Sequence, residues 1–286
     1  MIKKNTPLLI GAHISIAGGF EKAIERGVSI GCTTIQIFTK SNRQWHAKSI
    51  TDEEAATFKA TAIQLHITII VAHATYLINL GSPDAATRSK SISAVVDELH
   101  RCEKLGITYL VLHPGSHLST NEQECLTSVA DSINAVLEKA SGNTILLIEN
   151  MAGQGSIVCY TFEQIKYVLD RCTFPERVGV CFDTAHAFAA GYDFRDKATY
   201  NAMWEHFDST VGLSRLKVIH LNDSKKELGS RVDRHEDIGK GLIGLAGFKL
   251  LINDSRLAHI PKILETPQES LEDALRNIET VKSLVI

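Results

Sequence analysis

The chain has 286 residues, 44% of them apolar and 22% charged, with a formal net charge of −3 at neutral pH. That length suits one large α/β domain or two smaller ones, and the composition excludes a disordered or fibrous chain. No apolar run approaches the roughly 18 residues of a membrane span. The run after Met1 to Pro7 is too short for a secretory signal and is interrupted at His13.

The six cysteines include no Cys-x-x-Cys pair, which points to reduced thiols and a cytoplasmic protein. The acidic balance argues only weakly against a phosphate substrate, because bound divalent cations would reverse its sign.

Strand and helix patterns alternate from end to end. Leu8 to His13 and Thr33 to Phe38 read as the first two strands, with a helix over Gly18 to Val28 between them. Thr51-Asp-Glu-Glu54 is a capping box opening a helix that reaches about Leu65. Thr68 to His73 is the third strand. Ser82 as N-cap and Pro83 as the first helical residue start a helix with an apolar stripe from Ile92 to Leu105, which Gly106 stops.

Tyr109 to His113 is the fourth strand, and Thr120 to Gln123 caps the helix after it. Ile145 to Glu149 is the fifth strand, and Thr161 to Gln164 caps the next helix. Val178 to Asp183 is the sixth, followed by a small-residue segment from Ala187 to Gly191 and a helix within Asp196 to Gly212. Leu216 to His220 is the seventh strand. A long polar loop and a short helix near Leu245 to Ile252 precede the eighth, Pro261 to Glu265, and Ser270 to Leu284 closes the chain as an amphipathic helix.

Eight short buried strands, each followed by a helical segment, predict a parallel (β/α)8 TIM barrel rather than an open doubly wound sheet. No linker or charge block divides it, so residues 1–286 read as a single catalytic domain with its site at the C-terminal face of the barrel. Gly153-Gln-Gly155-Ser lacks the third glycine of a dinucleotide fingerprint and reads as a plain loop.

The strand ends carry the chemistry. His73, His113, Glu149, Asp183, His220 and Glu265 close six successive strands at intervals of 34 to 45 residues, and in a barrel such ends converge on one face. A carboxylate at the tip of a buried strand is costly unless paired or bound to a cation. His186 follows strand six, and Asp233 and His235, two apart in the loop after strand seven, can share a metal. Five histidines and four acids without a thiolate suit Zn²⁺ or Mn²⁺, and nine ligands suggest a cluster of two or three ions.

The other histidines receive plainer readings. His46, His100, His206 and His259 are expected on the surface or on helix faces, and His66 near a helix C-terminus. His13, with no acidic partner nearby, is expected to support the ligands rather than to be one. His117 lies in the loop after strand four.

Phe38-Thr-Lys-Ser-Asn-Arg-Gln-Trp45, His113-Pro-Gly-Ser-His117, the segment Ile148 to Gly155, the segment Val180 to Gly191, His220-Leu-Asn-Asp223 and Ser230-Arg-Val-Asp-Arg-His235 together resemble the endonuclease IV family of zinc-dependent apurinic/apyrimidinic endonucleases. The resemblance runs from about Gly11 to Glu265. It implies three zinc ions per chain, with Mn²⁺ an alternative at one or more sites. His73, His113 and Glu149 would hold one; Glu149, Asp183, His220 and Glu265 a second; His186, Asp233 and His235 a third. The implied reaction is hydrolysis of the phosphodiester 5′ to an abasic site in double-stranded DNA, with Glu149 central. It leaves a 3′-hydroxyl and a 5′-deoxyribose phosphate, and blocked 3′ ends would also be trimmed.

A nucleotide without a base is cheap to extrude from a duplex, and the resemblance makes Arg43, Gln44 and Tyr76 the residues that fill the vacated stack. Trp45 is expected to pack beneath their loop. Lys40, Lys225, Lys226, Arg231 and Arg234 lie on loops after strands, where they could meet phosphates. The protein is expected to be a monomer with no membrane partner. Two rivals stand beside this reading: a sugar isomerase-like metal barrel, and a barrel that binds nucleic acid without cutting it.

Overall fold

The apolar runs become strands because β-branched residues pack well on a sheet covered on both faces. The computed structural model describes residues 8–286; the segment Met1 to Pro7, part of the N-terminal reading, lies outside them. The barrel strands are β1 (Ile10–Ala12), β2 (Ile35–Phe38), β3 (Ile70–His73), β4 (Tyr109–Leu112), β5 (Ile145–Glu149), β6 (Val178–Asp183) and β7 (Leu216–His220). A two-residue antiparallel pair, β8 (Asp223–Ser224) and β9 (His235–Glu236), stands outside the barrel, which is completed by β10 (Lys262–Leu264).

All eight barrel strands run parallel in the order β1-β10-β7-β6-β5-β4-β3-β2. The seam between β1 and β2 is closed by a parallel bridge between His13 and Gln36 and by the Ile14 N–H donating to the Gln36 carbonyl at 2.8 Å. A Cβ on Gly11 would lie 1.8 Å from the Thr34 carbonyl oxygen. Only glycine lets the chains meet there.

The helices are α1 (Phe20–Ser29), α2 (Asp52–Gln64), α3 (Ala85–Leu105), α4 (Glu122–Lys139), α5 (Phe162–Leu169), α6 (Thr184–Ala190), α7 (Lys197–Thr210), α8 (Gly244–Ile252) and α9 (Leu271–Ser283). Thr51 and Glu54 form the expected capping box, and Thr161 caps α5. Two starts differ from expectation. The carboxylate of Asp84, not the Ser82 hydroxyl, accepts the Thr87 N–H at 2.7 Å, and the Ser82 carbonyl is taken by Arg88. At α4 the cap is Asn121, accepting the Glu124 N–H at 2.9 Å, because the Thr120 hydroxyl turns back to the His117 carbonyl.

The helices pack their buried stripes on the outer face of the barrel, and α7 contributes fully buried Trp204 and Phe207 against Phe182. A second, separate apolar cluster fills the barrel interior: Val71, Val111, Leu147, Cys181, Val218 and Ile263, all fully buried. Among the described residues no helix is long and apolar enough to cross a membrane.

Candidate metal centre

Strand side chains alternate between faces with a period of two. Two positions beyond each member of the interior cluster stand His73, His113, Glu149, Asp183, His220 and Glu265. The six strand-end residues are therefore the next inward-facing set, raised above an apolar floor towards the C-terminal opening. Their convergence is a direct product of parallel strands closing into a ring.

Three groups of donor atoms each lie within 4.8 Å of one another: His73, His113 and Glu149; Glu149, Asp183, His220 and Glu265; Asp183, His186 and His235. Asp233 stands beside the third, its oxygens 3.2 Å from His186 Nε2 and 3.4 Å from His235 Nε2. All nine residues singled out from the sequence thus meet in one cup. Glu149 joins its parts: Oε2 lies 3.3 Å from Nε2 of both His73 and His113, while Oε1 lies 3.0 Å from His220 Nδ1 and 3.4 Å from His186 Nδ1.

The imidazoles are oriented by hydrogen bonds on their far sides. Nδ1 of His73 faces the Ala74 carbonyl at 2.7 Å, that of His186 the Asn150 carbonyl at 3.0 Å, and that of His235 the Glu265 carbonyl at 3.1 Å. A carbonyl can only accept, so each Nδ1 carries a proton and each Nε2 is the nitrogen turned to the cup, where a cation can displace its proton. Nε2 of His186 and of His235 is buried without a hydrogen-bond partner among the described residues, despite the nearby Asp233 oxygens. Ring nitrogens aimed at a shared space and left without a hydrogen-bond partner suit a cation.

The electrostatics agree. Burial would raise the Glu149 carboxyl, but the imidazoles of His220 and His113 hold it well below the usual carboxylate range. Burial would lower His186, yet Asp183 and Asp233 carry it well above its ordinary value. Four acids in a buried cup demand positive charge, which protons or divalent ions can supply in competition. Burial pushes the Cys181 thiol beneath them up to about 12, so the donor set is imidazole and carboxylate. Such a set fits Zn²⁺ or Mn²⁺.

Several supporting residues were not singled out from the sequence. Asn222 donates to Asp183 Oδ2 at 2.7 Å and accepts the Glu265 N–H at 2.8 Å. Asn150 accepts the Asp183 N–H at 2.7 Å and donates to its carbonyl. Gln154, in the Gly-Gln-Gly loop, accepts the Asp233 N–H at 2.9 Å. Asp223 gathers the backbone N–H groups of Ser224, Gly239, Gly241 and Ile243, fixing the loop beyond His235. Asn150 and Asn222 each follow a strand-end ligand closely, and that adjacency was the available signal. His13 has an acidic neighbour after all: its Nδ1 lies 3.8 Å from Glu265 Oε1, with the Gln36 amide 3.0 Å away.

Around the cup, Arg43 and Gln44 are exposed on the loop after β2. Tyr76 is 53% exposed, and its ring packs against His73 and His113 with centroids 5.2 and 5.3 Å apart. Trp45 packs against the core as expected, with Lys90 over its ring. Lys40 departs from expectation: it is buried, 2.7 Å from Asp97 and 3.5 Å from Glu98, so its charge is already paired. Lys225, Lys226, Arg231 and Arg234 are exposed. An open groove of about 850 Å³ beside the cup is lined by His13, Arg26, Phe38, Asn42 and Ser270, among others.

Comparison with known proteins gives consistent results. Residues 24–284 match the family described as xylose isomerase-like TIM barrel. The chain is 48% identical over 277 residues to a probable endonuclease 4 of Chloroflexus aggregans, covering 96% of this chain and 97% of that protein. Among solved structures it is similar to endonuclease IV from Thermus thermophilus, with a TM-score of 0.86 and 35% identity over 97% of this chain and 98% of that one. A D-tagatose 3-epimerase-like protein shares the fold at 16% identity, with a TM-score of 0.71 over 96% of each chain.

Proposed function

Given that the chain belongs to the endonuclease IV family, we propose that it is a metal-dependent DNA-repair endonuclease, a single catalytic barrel that acts on double-stranded DNA at abasic sites. It hydrolyses the phosphodiester 5′ to the missing base, leaving a 3′-hydroxyl and a 5′-deoxyribose phosphate, and also trims blocked 3′ ends. The observation that carries this reading is the convergence of five histidines and four acids into three overlapping donor groups.

Three zinc ions fit the donor sets, with Mn²⁺ able to replace one or more. His73, His113 and Glu149 would hold the first. Glu149, Asp183, His220 and Glu265 would hold the second, and His186, Asp233 and His235 the third, with Asp183 close enough to share it. Bound there, the ions would activate water at neutral pH and neutralise charge developing on the phosphate.

The chain's own residues do the rest. Glu149, a member of two of the three groups, sets the spacing between them. Asn222, Asn150 and the carbonyls of Ala74 and Glu265 hold the ligands so that little reorganisation remains when substrate arrives. Arg43, Gln44 and Tyr76 stand at the rim, where they can occupy the gap in the base stack, and exposed Lys225, Lys226, Arg231 and Arg234 can meet flanking phosphates. Unstacking is cheapest where the base is absent, and that asymmetry gives selectivity without base readout. Six free cysteines support a reducing, cytoplasmic setting, and the enzyme is taken to act as a monomer.

The test is incision of a duplex carrying one tetrahydrofuran abasic analogue, before and after prolonged chelation. The expected product is a nick 5′ to the analogue with an extendable 3′ end, abolished by chelation and restored by Zn²⁺. Binding without cleavage would instead favour a non-catalytic barrel.

A further inference from the structure

In β3 to β7 and β10 the residue beneath each strand-end ligand is apolar. On β2 the inward position in register with Val71 is Gln36, which is fully buried. An amide in such a layer costs free energy unless its polar atoms are paired. Here they are. Nε2 lies 2.5 Å from Glu265 Oε1 and 3.0 Å from His13 Nδ1, and Oε1 lies 2.8 Å from His220 Nε2.

The orientation of this amide follows from chemistry. An ionised Glu265 can only accept, so the NH₂ group faces it and the carbonyl faces His220. His220 must then carry a proton on Nε2, so Nδ1 is the nitrogen whose proton a cation can displace. That is the atom 3.0 Å from Glu149 Oε1 and 3.1 Å from Glu265 Oε2. His73, His186 and His235 present the opposite nitrogen and are held by backbone carbonyls. His220 depends on a side chain instead.

We propose that Gln36 is a positioning residue of the metal centre: one buried amide orients Glu265 and selects the His220 tautomer whose Nδ1 can bind the cation shared with Glu149 and Asp183. This rests on the reading of the cup as a metal centre. Partners that orient metal ligands in this way typically contribute about 10- to 100-fold in affinity.

Gln36→Met tests it, since Met is close in volume and suits an apolar floor. Zinc affinity is measured by competition with a chromophoric chelator, and thermal melting of both metal-free proteins is followed in parallel. The expected result is about a tenfold or greater loss for one bound zinc, with the remaining zinc held as in wild type and the metal-free variant still melting cooperatively, at a somewhat lower temperature because Glu265, His13 and His220 lose a buried partner. Wild-type affinity for every zinc in the variant would overturn the inference alone. So would a misfolded variant that loses all its zinc together, which would mark a merely structural role. A wild-type protein that binds no zinc would overturn the metal-centre reading and this inference with it.

Discussion

Oε1 of Glu149 lies 3.0 Å from Nδ1 of His220, with both side chains wholly buried. No water shell separates them, so the carboxylate is held where a cation between the two could reach both. Glu149→Gln replaces an anion by a neutral amide of the same shape. The variant should keep the wild-type circular dichroism spectrum while incision of an abasic duplex falls to background. Wild-type incision rates from this protein would reject the bridging role.

Asp183 does two jobs. Its Oδ1 accepts the His186 N–H at 2.8 Å as the N-cap of α6, while Oδ2 faces the cup and Asn222. Asparagine caps nearly as well as aspartate, whereas alanine costs about 1 kcal/mol. Both Asp183→Asn and Asp183→Ala should lose zinc, but only the alanine variant should lose stability as a metal-free protein. Urea unfolding of the chelated proteins separates the two effects, and equal stability losses would contradict the division of roles.

The loop bearing Arg43 is braced from below. Thr39 donates to Glu98, Lys40 pairs with Glu98 and Asp97 and donates to the Trp45 carbonyl, and Arg101 donates to the carbonyls of Thr39 and Lys48. Removing one partner of a buried ion pair costs on the order of 3 kcal/mol. Glu98→Ala should therefore lower the melting temperature and weaken DNA binding together. Arg43→Ala should weaken binding alone and flatten its salt dependence. Filter binding at two salt concentrations, read beside the melting curves, distinguishes them.

Lys262 is an opposite case, a buried cation without a carboxylate in contact among the described residues. Burial pushes its ammonium down to about 8, and Nζ donates to the Leu257 carbonyl. An unfolded lysine titrates near 10.4, so between about 8 and 10.4 the unfolded chain binds more protons and this group's contribution to stability rises with pH. Below about 8 the full cost of the buried charge is present. Lys262→Met should raise the melting temperature at pH 7, and its advantage over wild type should shrink by pH 10. An equal gain at both pH values would contradict the assignment.

Much of this arrangement was legible because a parallel barrel makes sequence position and spatial level nearly equivalent. A buried strand ending in His or Asp announces both its own boundary and its ligand, and β5, β6 and β7 match their expected limits. Short elements were less visible. Helix α6 has seven residues, mostly alanine, and its cap is Asp183, a residue already claimed by the cup. The pair β8 and β9 has two residues per strand, too few for any alternation. Gln36 interrupts an apolar run, yet nothing local distinguishes an amide beneath a metal site from one at a strand edge. Lys40 reads as a loop cation, and only the approach of α3 with Glu98 buries it.

The most direct test of the central claim is the zinc content of the purified wild-type chain, measured by native mass spectrometry after loading and removal of loosely held ions. Nine side chains in three overlapping groups predict three zinc ions per chain. Fewer ions, as a sugar isomerase-like barrel would carry, or none at all, would contradict the account.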